Sequence, residues 1–572
     1  MSDSLHSVSG QGDAGRTVPP PRVSSPHSDG RGTWVSPPGL SGDVSLIRVG
    51  SSAVGSGAAY ACPLQRSVKA RPALKAAAKP KVEEPPMALG HVMDVLDRVE
   101  SGESVEAAVT SVRGAVFWHE GLTSYVTSAV QAYLSATDSS QDLVPVRQWW
   151  VVQHRDDVVR ELWAWGRRYS SPDGSRRELR FLRFGWADPQ RRNAAEVAVA
   201  AYVAAYGRPA QWPDPWERHF AVGGQPQVSN VVVAEVSLAD GVRSVLFDGT
   251  AAEASGLYAQ TGQLPVAKSV DGTSRRAGGD CLKCRLLAVC PEVPRAPGLL
   301  GLPAYPKAKL RSVSVSDLRY HDCCPAQYHL QAMRLPKSNE YSAEARLGLA
   351  VHDYLERLHR RHSGPCVAAD MPVDASWLGA TWALDEQDAM IGAKMLAHHP
   401  QVCPIQAGVT DVCVEKTFTF YDTAAQALVI AKADLVHRDG SSWVWRETKT
   451  TQRPARGHSV LNVYPQIALA TAVLSRGLLG GSVDGSRVEV EVLRPTGADL
   501  ILVDPSDPTQ VAEAHALLGK LTRPWREDST FPARPGGRCH TCPVRMWCPS
   551  SVAAAPPLLE ETPCGDNQPP GT

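Results

Sequence analysis

The chain has no long apolar run: its hydrophobic stretches are short and interrupted, and none could span a bilayer as a helix. It also has no charge imbalance. Lys+Arg and Asp+Glu number 59 each, so the molecule is not a polycation, and any grip on nucleic acid must come from a local basic surface. The opening MSDSLHSVSGQGDAGRTVPPPRVSSPHSDG lacks a basic segment followed by an apolar one, which excludes a signal-peptide reading. Residues 1–40 are rich in Ser, Gly and Pro and read as a disordered tail, as do residues 551–572. A cytoplasmic location without a membrane partner follows by default. No G-x-x-x-x-G-K-[ST] segment occurs, so the chain carries no P-loop motor of its own.

What is there is a globular composition, 43% hydrophobic and 21% charged, spread over 572 residues. That is too long for one hydrophobic core, so two or more domains are expected. Cysteine is plentiful, with 13 copies. In a reducing compartment these are better read as metal ligands or scattered core residues than as a disulfide framework.

Their spacing exposes an internal repeat. Cys281, Cys284 and Cys290 form a C-x2-C-x5-C-P triplet, and Cys539, Cys542 and Cys548 form another. Each triplet has a distant partner followed by proline, Cys62 for the first and Cys324 for the second. Cys323 is a rival to Cys324, but the C-P context favours Cys324. The offset between the copies is about 260 residues for both cysteine elements and for the pair His91 and His352. The expected organisation is a tail, a first copy over 41–296, a Pro/Gly-rich linker over 297–307, a second copy over 308–550, and a tail. From spacing alone, four thiolates suit structural zinc as well as an iron–sulfur centre. Cys366, Cys403, Cys413 and Cys564 fall outside the pattern and read as structural or incidental.

The second copy carries an ordered polar series. His352 sits in a helical pattern over 345–358. Asp434 interrupts the strand-like LVIAKADLVHRDG, and the Asp439-Gly440 turn predicts a hairpin into SSWVWRETKTT. There Glu447 and Lys449 stand two apart and leave the same face of a strand. Gln466 opens the next helix. Phosphodiester hydrolysis needs a hard cation to polarise the phosphoryl group and activate water. Asp434 and Glu447 could bind Mg2+ or Mn2+, His352 could add an imidazole, and Lys449 could stabilise developing charge. An E-T-K on a strand is commonplace on a solvated edge; the ordered set is what gives it meaning. Glu415 reads as a surface residue or an accessory carboxylate.

The order H … D … E-x-K … Q, enclosed by C-P and C-x2-C-x5-C, resembles the RecB-type branch of the PD-(D/E)XK nuclease superfamily. It is similar within that branch to iron–sulfur members such as the CRISPR-adaptation nucleases. The resemblance implies an α/β, restriction-endonuclease-like fold, a mixed β-sheet flanked by helices; with the internal repeat, two such domains in tandem are expected. It implies that Cys324, Cys539, Cys542 and Cys548 ligate a [4Fe–4S] cluster; by the internal repeat, Cys62, Cys281, Cys284 and Cys290 are expected to form a second four-cysteine staple holding iron–sulfur or another metal. By the same resemblance His352, Asp434 and Glu447 hold the metal, and Lys449 and Gln466 complete the catalytic set. One departure is that Ala470, not tyrosine, follows Gln466 by four; Tyr464 lies two residues before it. The expected activity is a metal-dependent DNA exonuclease or flap-type nuclease of repair, recombination or anti-phage defence, working beside a separate helicase. The alternative is a catalytically dead, metal-stapled DNA-binding scaffold.

Shifting the catalytic positions back by the repeat offset lands on Asp173, Trp186 and Asp188, which lack an acid-x-Lys pair. The first copy is therefore expected to be degenerate. Its basic stretch, with Arg176, Arg177, Arg180, Arg183, Arg191 and Arg192, is expected to hold DNA phosphates as a clamp.

Overall fold

The computed structural model describes residues 34–551 except 116–117, 138–141, 339–341, 362–363, 379–381, 383 and 453–458. Most of both expected tails, and Cys564, lie outside the described residues. None of the described helices is long and apolar enough to cross a membrane.

The N-terminal half begins with β1 (Leu46–Gly50), followed by helices α1 (Pro63–Lys69), α2 (Ala88–Val99), α3 (Val105–Ala115) and α4 (Glu120–Thr137). Strands β2 (Trp149–Arg155) and β3 (Val159–Trp163) join β1 in a four-stranded sheet completed by Arg208–Ala210. Strands β4 (Arg167–Ser170) and β5 (Arg176–Arg183) form a hairpin whose turn places Gly174 at φ +75°. Helix α5 (Ala194–Tyr206) then crosses over to β6 (Asn230–Ser237), parallel to β5, and β7 (Arg243–Thr250) returns antiparallel. Residues Ala195 to Ala205 of α5 are buried without exception, as expected for a crossover helix that is apolar on nearly every side, and its one acid, Glu196, pairs with Arg192.

The C-terminal half repeats this order of connections. It comprises β8 (Arg311–Val313), α6 (Val315–Cys323), α7 (Pro325–Ala332), α8 (Ala343–Arg361), α9 (Glu386–His398), β9 (Thr410–Asp422), β10 (Ala427–Asp439), β11 (Ser442–Thr450), α10 (Pro465–Ser475), β12 (Ser482–Arg494), β13 (Gly497–Val503) and α11 (Pro508–Glu527). The expected hairpin joins β10 to β11, with Asp439 paired to Ser442 and Gly440 at φ +61°, a conformation that glycine adopts without a Cβ penalty. Helix α10, buried from Ile467 to Leu474, leads to β12, which runs parallel to β11; β13 pairs antiparallel with β12.

Alternate residues of β12 face opposite ways. Val488, Val490 and Val492 pack with Leu318, Ile467, Leu518 and Trp525 from α6, α10 and α11. On the other face Leu493 joins Leu347, Val351 and Leu355 of α8 and Leu396 of α9.

The two halves share apolar cores. Leu330, Met333, Val544 and Trp547 pack among Val92, Leu122, Tyr125 and Val126 of α2 and α4. Leu64 and Val68 of α1 pack with Leu310, Tyr421 and Leu428. The stretch 297–307 is itself packed: Leu299, Leu300 and Leu302 are buried in the C-terminal core. The amides of Gly298 and Leu300 donate to the Asp422 carboxylate at 2.8 and 2.9 Å.

Candidate active site

The hairpin sets the first geometry. Asp434 follows one step beyond the Leu435–Arg446 pair and so stands across from Glu447. Trp445, Glu447 and Lys449 share one face of β11 because their spacing is two. Lys449 Nζ lies 2.9 Å from Glu447 Oε2 and 3.8 Å from Asp434 Oδ2, so one ammonium is held between two carboxylates. The Trp445 indole N–H donates to Glu447 Oε1 at 2.9 Å, and the Thr448 amide donates to Asp434 Oδ2 at 2.7 Å. His352 arrives from α8, its Nδ1 3.6 Å from Asp434 Oδ1. Gly348, one turn earlier, permits this approach. A Cβ there would stand 2.9 Å from Thr450 Oγ1 at the end of β11.

Burial dominates the electrostatics, and charge pairing decides its outcome. Burial pushes the Asp434 carboxyl up, but the His352 imidazole and Lys449 ammonium outweigh it and hold the group below the usual carboxylate range. Glu447 is pushed up by burial, with Lys449 opposing and Asp434 adding to the rise. Burial disfavours the Lys449 charge, yet Glu447 and Asp434 together raise its pKa. For His352, burial again lowers and Asp434 raises, with a net rise.

Glu415 belongs to this group. Its neighbours Val414 and Lys416 pair with Leu435 and Ala433, so it lies beside Asp434, and its backbone has a left-handed φ of +55°. A non-glycine residue held there marks a constrained position. Burial, then the nearby Asp434, raise its pKa, while Lys432 pairs with it. Gln466 is half-buried in the first turn of α10. Among the described residues it shows no hydrogen bond to this cluster. Tyr464, which precedes α10, is near enough to Lys449 to raise its pKa, whereas Ala470 is fully buried in the core.

Three carboxylates and an imidazole converging on one partly open, otherwise buried place suit a hard divalent cation such as Mg2+ or Mn2+. Asp434, Glu447 and His352 would hold it. Such an ion, when bound, polarises a phosphoryl oxygen and activates water. Lys449 is placed to hold its proton and stabilise negative charge developing beside the carboxylates.

Both cysteine quartets converge. Cys324, Cys539, Cys542 and Cys548 line one pocket, and the Arg534 amide donates to Cys324 Sγ at 3.4 Å. Burial and the three neighbouring sulfurs push the Cys542 thiol up to about 12. Cys62, Cys281, Cys284 and Cys290 share a second cluster, where burial and the sulfurs around it push Cys281 up to about 12. In each, a short 3-10 turn begins on the second glycine of a Gly-Gly-Asp or Gly-Gly-Arg segment and presents the first two cysteines of the triplet. Thiols crowded this way gain by delivering their charge to a metal.

The N-terminal half differs in the place of the active site. Asp173 is an exposed turn residue, and Trp186 and Asp188 follow β5, so the repeat offset does not identify their counterparts. The register does. At the distance from its turn that Asp434 and Glu447 occupy in the other hairpin, the β4–β5 hairpin pairs Arg167 with Arg180. Two arginines stand there instead of two carboxylates. Arg180 Nε lies 2.6 Å from Glu178 Oε1, and Arg167 pairs with Asp97 and Glu100.

The arginine face is corrected as well. Arg177 and Arg180 are buried, Arg177 donating to Gly207 O at 2.7 Å. Arg183 and Arg192 pair with Glu235, and only Arg176 and Arg191 of the six are exposed. Strand β5 is central, covered by α5 on one face and by α4 on the other. Charges on it must therefore be paired internally.

No curated protein matches the chain. The constellation of His352, Asp434, Glu447 and Lys449, with the second cysteine quartet, falls within residues 312–549, and these residues match the family model of the PD-(D/E)XK nuclease superfamily and form a domain of that superfamily.

Proposed function

We propose that the domain over 308–550 is a Mg2+- or Mn2+-dependent deoxyribonuclease of exonuclease or flap type, from the iron–sulfur RecB-like branch. The observation that carries this reading is the single Lys449 ammonium held between Asp434 and Glu447, with His352 on the far side of Asp434. In this reading Asp434, Glu447 and His352 hold the cation, Glu415 trims its charge, and Lys449 meets the negative charge that develops on the phosphoryl group. The Cys324–Cys548 quartet carries a [4Fe–4S] cluster that pins the C-terminal segment to α7.

The N-terminal half, over 41–296, is a duplicated copy that has lost its metal. The shared order of connections supports the duplication, and the Arg167–Arg180 pairing supports the loss, since guanidinium groups stand where the C-terminal hairpin has Asp434 and Glu447. As a DNA clamp it would meet phosphates through exposed surface such as Arg176 and Arg191, not through the buried arginines. DNA repair, recombination or anti-phage defence, with a separate helicase, is the setting this activity suits.

The test is cleavage of end-labelled single- and double-stranded DNA by anaerobically purified protein with Mg2+ or Mn2+, beside Glu447→Ala. Metal-dependent cleavage lost in the variant supports the nuclease, and the product ladder gives its polarity. Absence of cleavage from protein with its full metal content, with or without added helicase, would leave the DNA-binding scaffold as the better account.

A further inference from the structure

We propose that His359, Cys366, His399 and Cys403 form a structural Zn2+ site, separate from the nuclease centre and from both cysteine quartets. By pattern Cys366 and Cys403 lack partners; the fold supplies them. His359 lies in the last turn of α8, Cys366 in the segment beyond it, His399 directly follows α9, and Cys403 comes four residues later. All four are buried, with 8, 4, 0 and 3% exposure respectively. Their ligating atoms all lie within 4.8 Å of one another.

The orientation of the groups argues for a metal over a chance cluster. The two imidazoles meet Nε2 to Nε2 at 3.1 Å. Tetrahedral zinc with bonds of about 2.0–2.1 Å to nitrogen would place two such atoms about 3.4 Å apart. Glu491, fully buried on β12, sits 2.6 Å from His399 Nδ1, which assigns the proton to that nitrogen and leaves the Nε2 lone pair facing the cluster. A carboxylate behind a ligating imidazole is the usual outer support of a zinc site. The Cys366 amide donates to Cys403 Sγ at 3.4 Å, a contact that favours thiolate.

Two sulfurs and two nitrogens select zinc over the hard cation of the nuclease centre, and four protein ligands leave no open position for catalysis. The role is therefore structural. The ion ties the ends of α8 and α9 to β12, on the sheet face opposite Val490. Its support reaches the active strand, because the second Glu491 oxygen accepts from Thr448 Oγ1 at 3.1 Å, and Thr448 lies between Glu447 and Lys449.

The experiment uses the full chain, purified anaerobically from zinc-supplemented culture. Zinc and iron are counted by mass spectrometry, and the zinc environment is read by X-ray absorption. The expected wild type holds a zinc whose first shell contains imidazole nitrogen as well as sulfur. Cys366→Ser with Cys403→Ser should lose one zinc equivalent while iron is unchanged, and Glu491→Gln should weaken zinc retention about tenfold or more. Wild type without zinc, zinc with an all-sulfur shell, unchanged zinc in the double variant, or a Cys366–Cys403 disulfide in the native protein would each overturn the site. If the double variant does not fold, the wild-type absorption spectrum decides alone. None of these readouts depends on nuclease activity.

Discussion

At the scale of single residues, the active strand depends on neighbours that tune its two charges. The Trp445 indole and the Lys449 ammonium each donate to one oxygen of Glu447. Replacing Trp445 by Phe keeps the ring and removes the N–H, leaving a buried carboxylate oxygen short of a partner at a cost of about 1–3 kcal/mol. Trp445→Phe should therefore lower single-turnover cleavage about tenfold or more, without changing the iron content. Glu415 tests a different quantity. Because it crowds Asp434, Glu415→Gln should raise the Mg2+ concentration needed for half-maximal cleavage more than it lowers the maximal rate. A metal titration of the variant that superimposes on wild type would remove Glu415 from the site.

At the scale of elements, two helices are held by contacts that can be perturbed alone. Helix α8 delivers His352 only because Gly348 lets it approach β11. Gly348→Val should push α8 outward and withdraw His352 from Asp434; a displacement on the order of 1 Å costs about a hundredfold in rate. Cleavage kinetics beside a circular-dichroism melt would separate this from general unfolding. Helix α7 supplies a pH dependence. Burial, then the neighbouring His119, lower the His329 pKa from 6.5 to about 3. An unfolded chain takes up a proton at this histidine as pH falls below about 6.5, while the folded chain resists until about 3. Stability from this source is intact at neutral pH and falls with pH across that window. His329→Gln should flatten the acid limb of a denaturant-midpoint series, and an unchanged limb would show that His329 is not its source. The ring of His329 stacks on Phe531 at 4.2 Å, so the variant's neutral-pH stability serves as the reference.

At the scale of the whole molecule, the two halves share an apolar core beside the second cysteine quartet. Trp547, within the C-terminal triplet, packs edge-on against Tyr125 of α4 at 5.0 Å and donates to Pro336 O at 2.7 Å. In the proposed reading Cys324, Cys539, Cys542 and Cys548 hold a metal, and removing it should loosen that contact along with the chain end. Limited proteolysis before and after oxidative loss of the metal is expected to show new cleavage near residues 530–551 and in α4. Equal protection in both states would mean that apolar packing alone holds the halves together.

Sequence by itself determined the features that depend on local rules. The Asp439-Gly440 turn, the alternation that puts Glu447 and Lys449 on one face, and the helix after them that carries Gln466 follow from turn chemistry and side-chain period. The two cysteine triplets were likewise readable, since ligands close in sequence leave a spacing. Tertiary structure alone decided what depends on register and burial. It brought Glu415 beside Asp434, put Tyr464 near Lys449, and turned four arginines of β5 and its flank inward onto Glu178, Glu235 and backbone carbonyls. It also gathered His359, Cys366, His399 and Cys403 from the ends of two helices. No spacing announces such a group, because its members become neighbours only when α8 and α9 pack on β12, and that packing is driven by apolar faces that carry no mark of the metal.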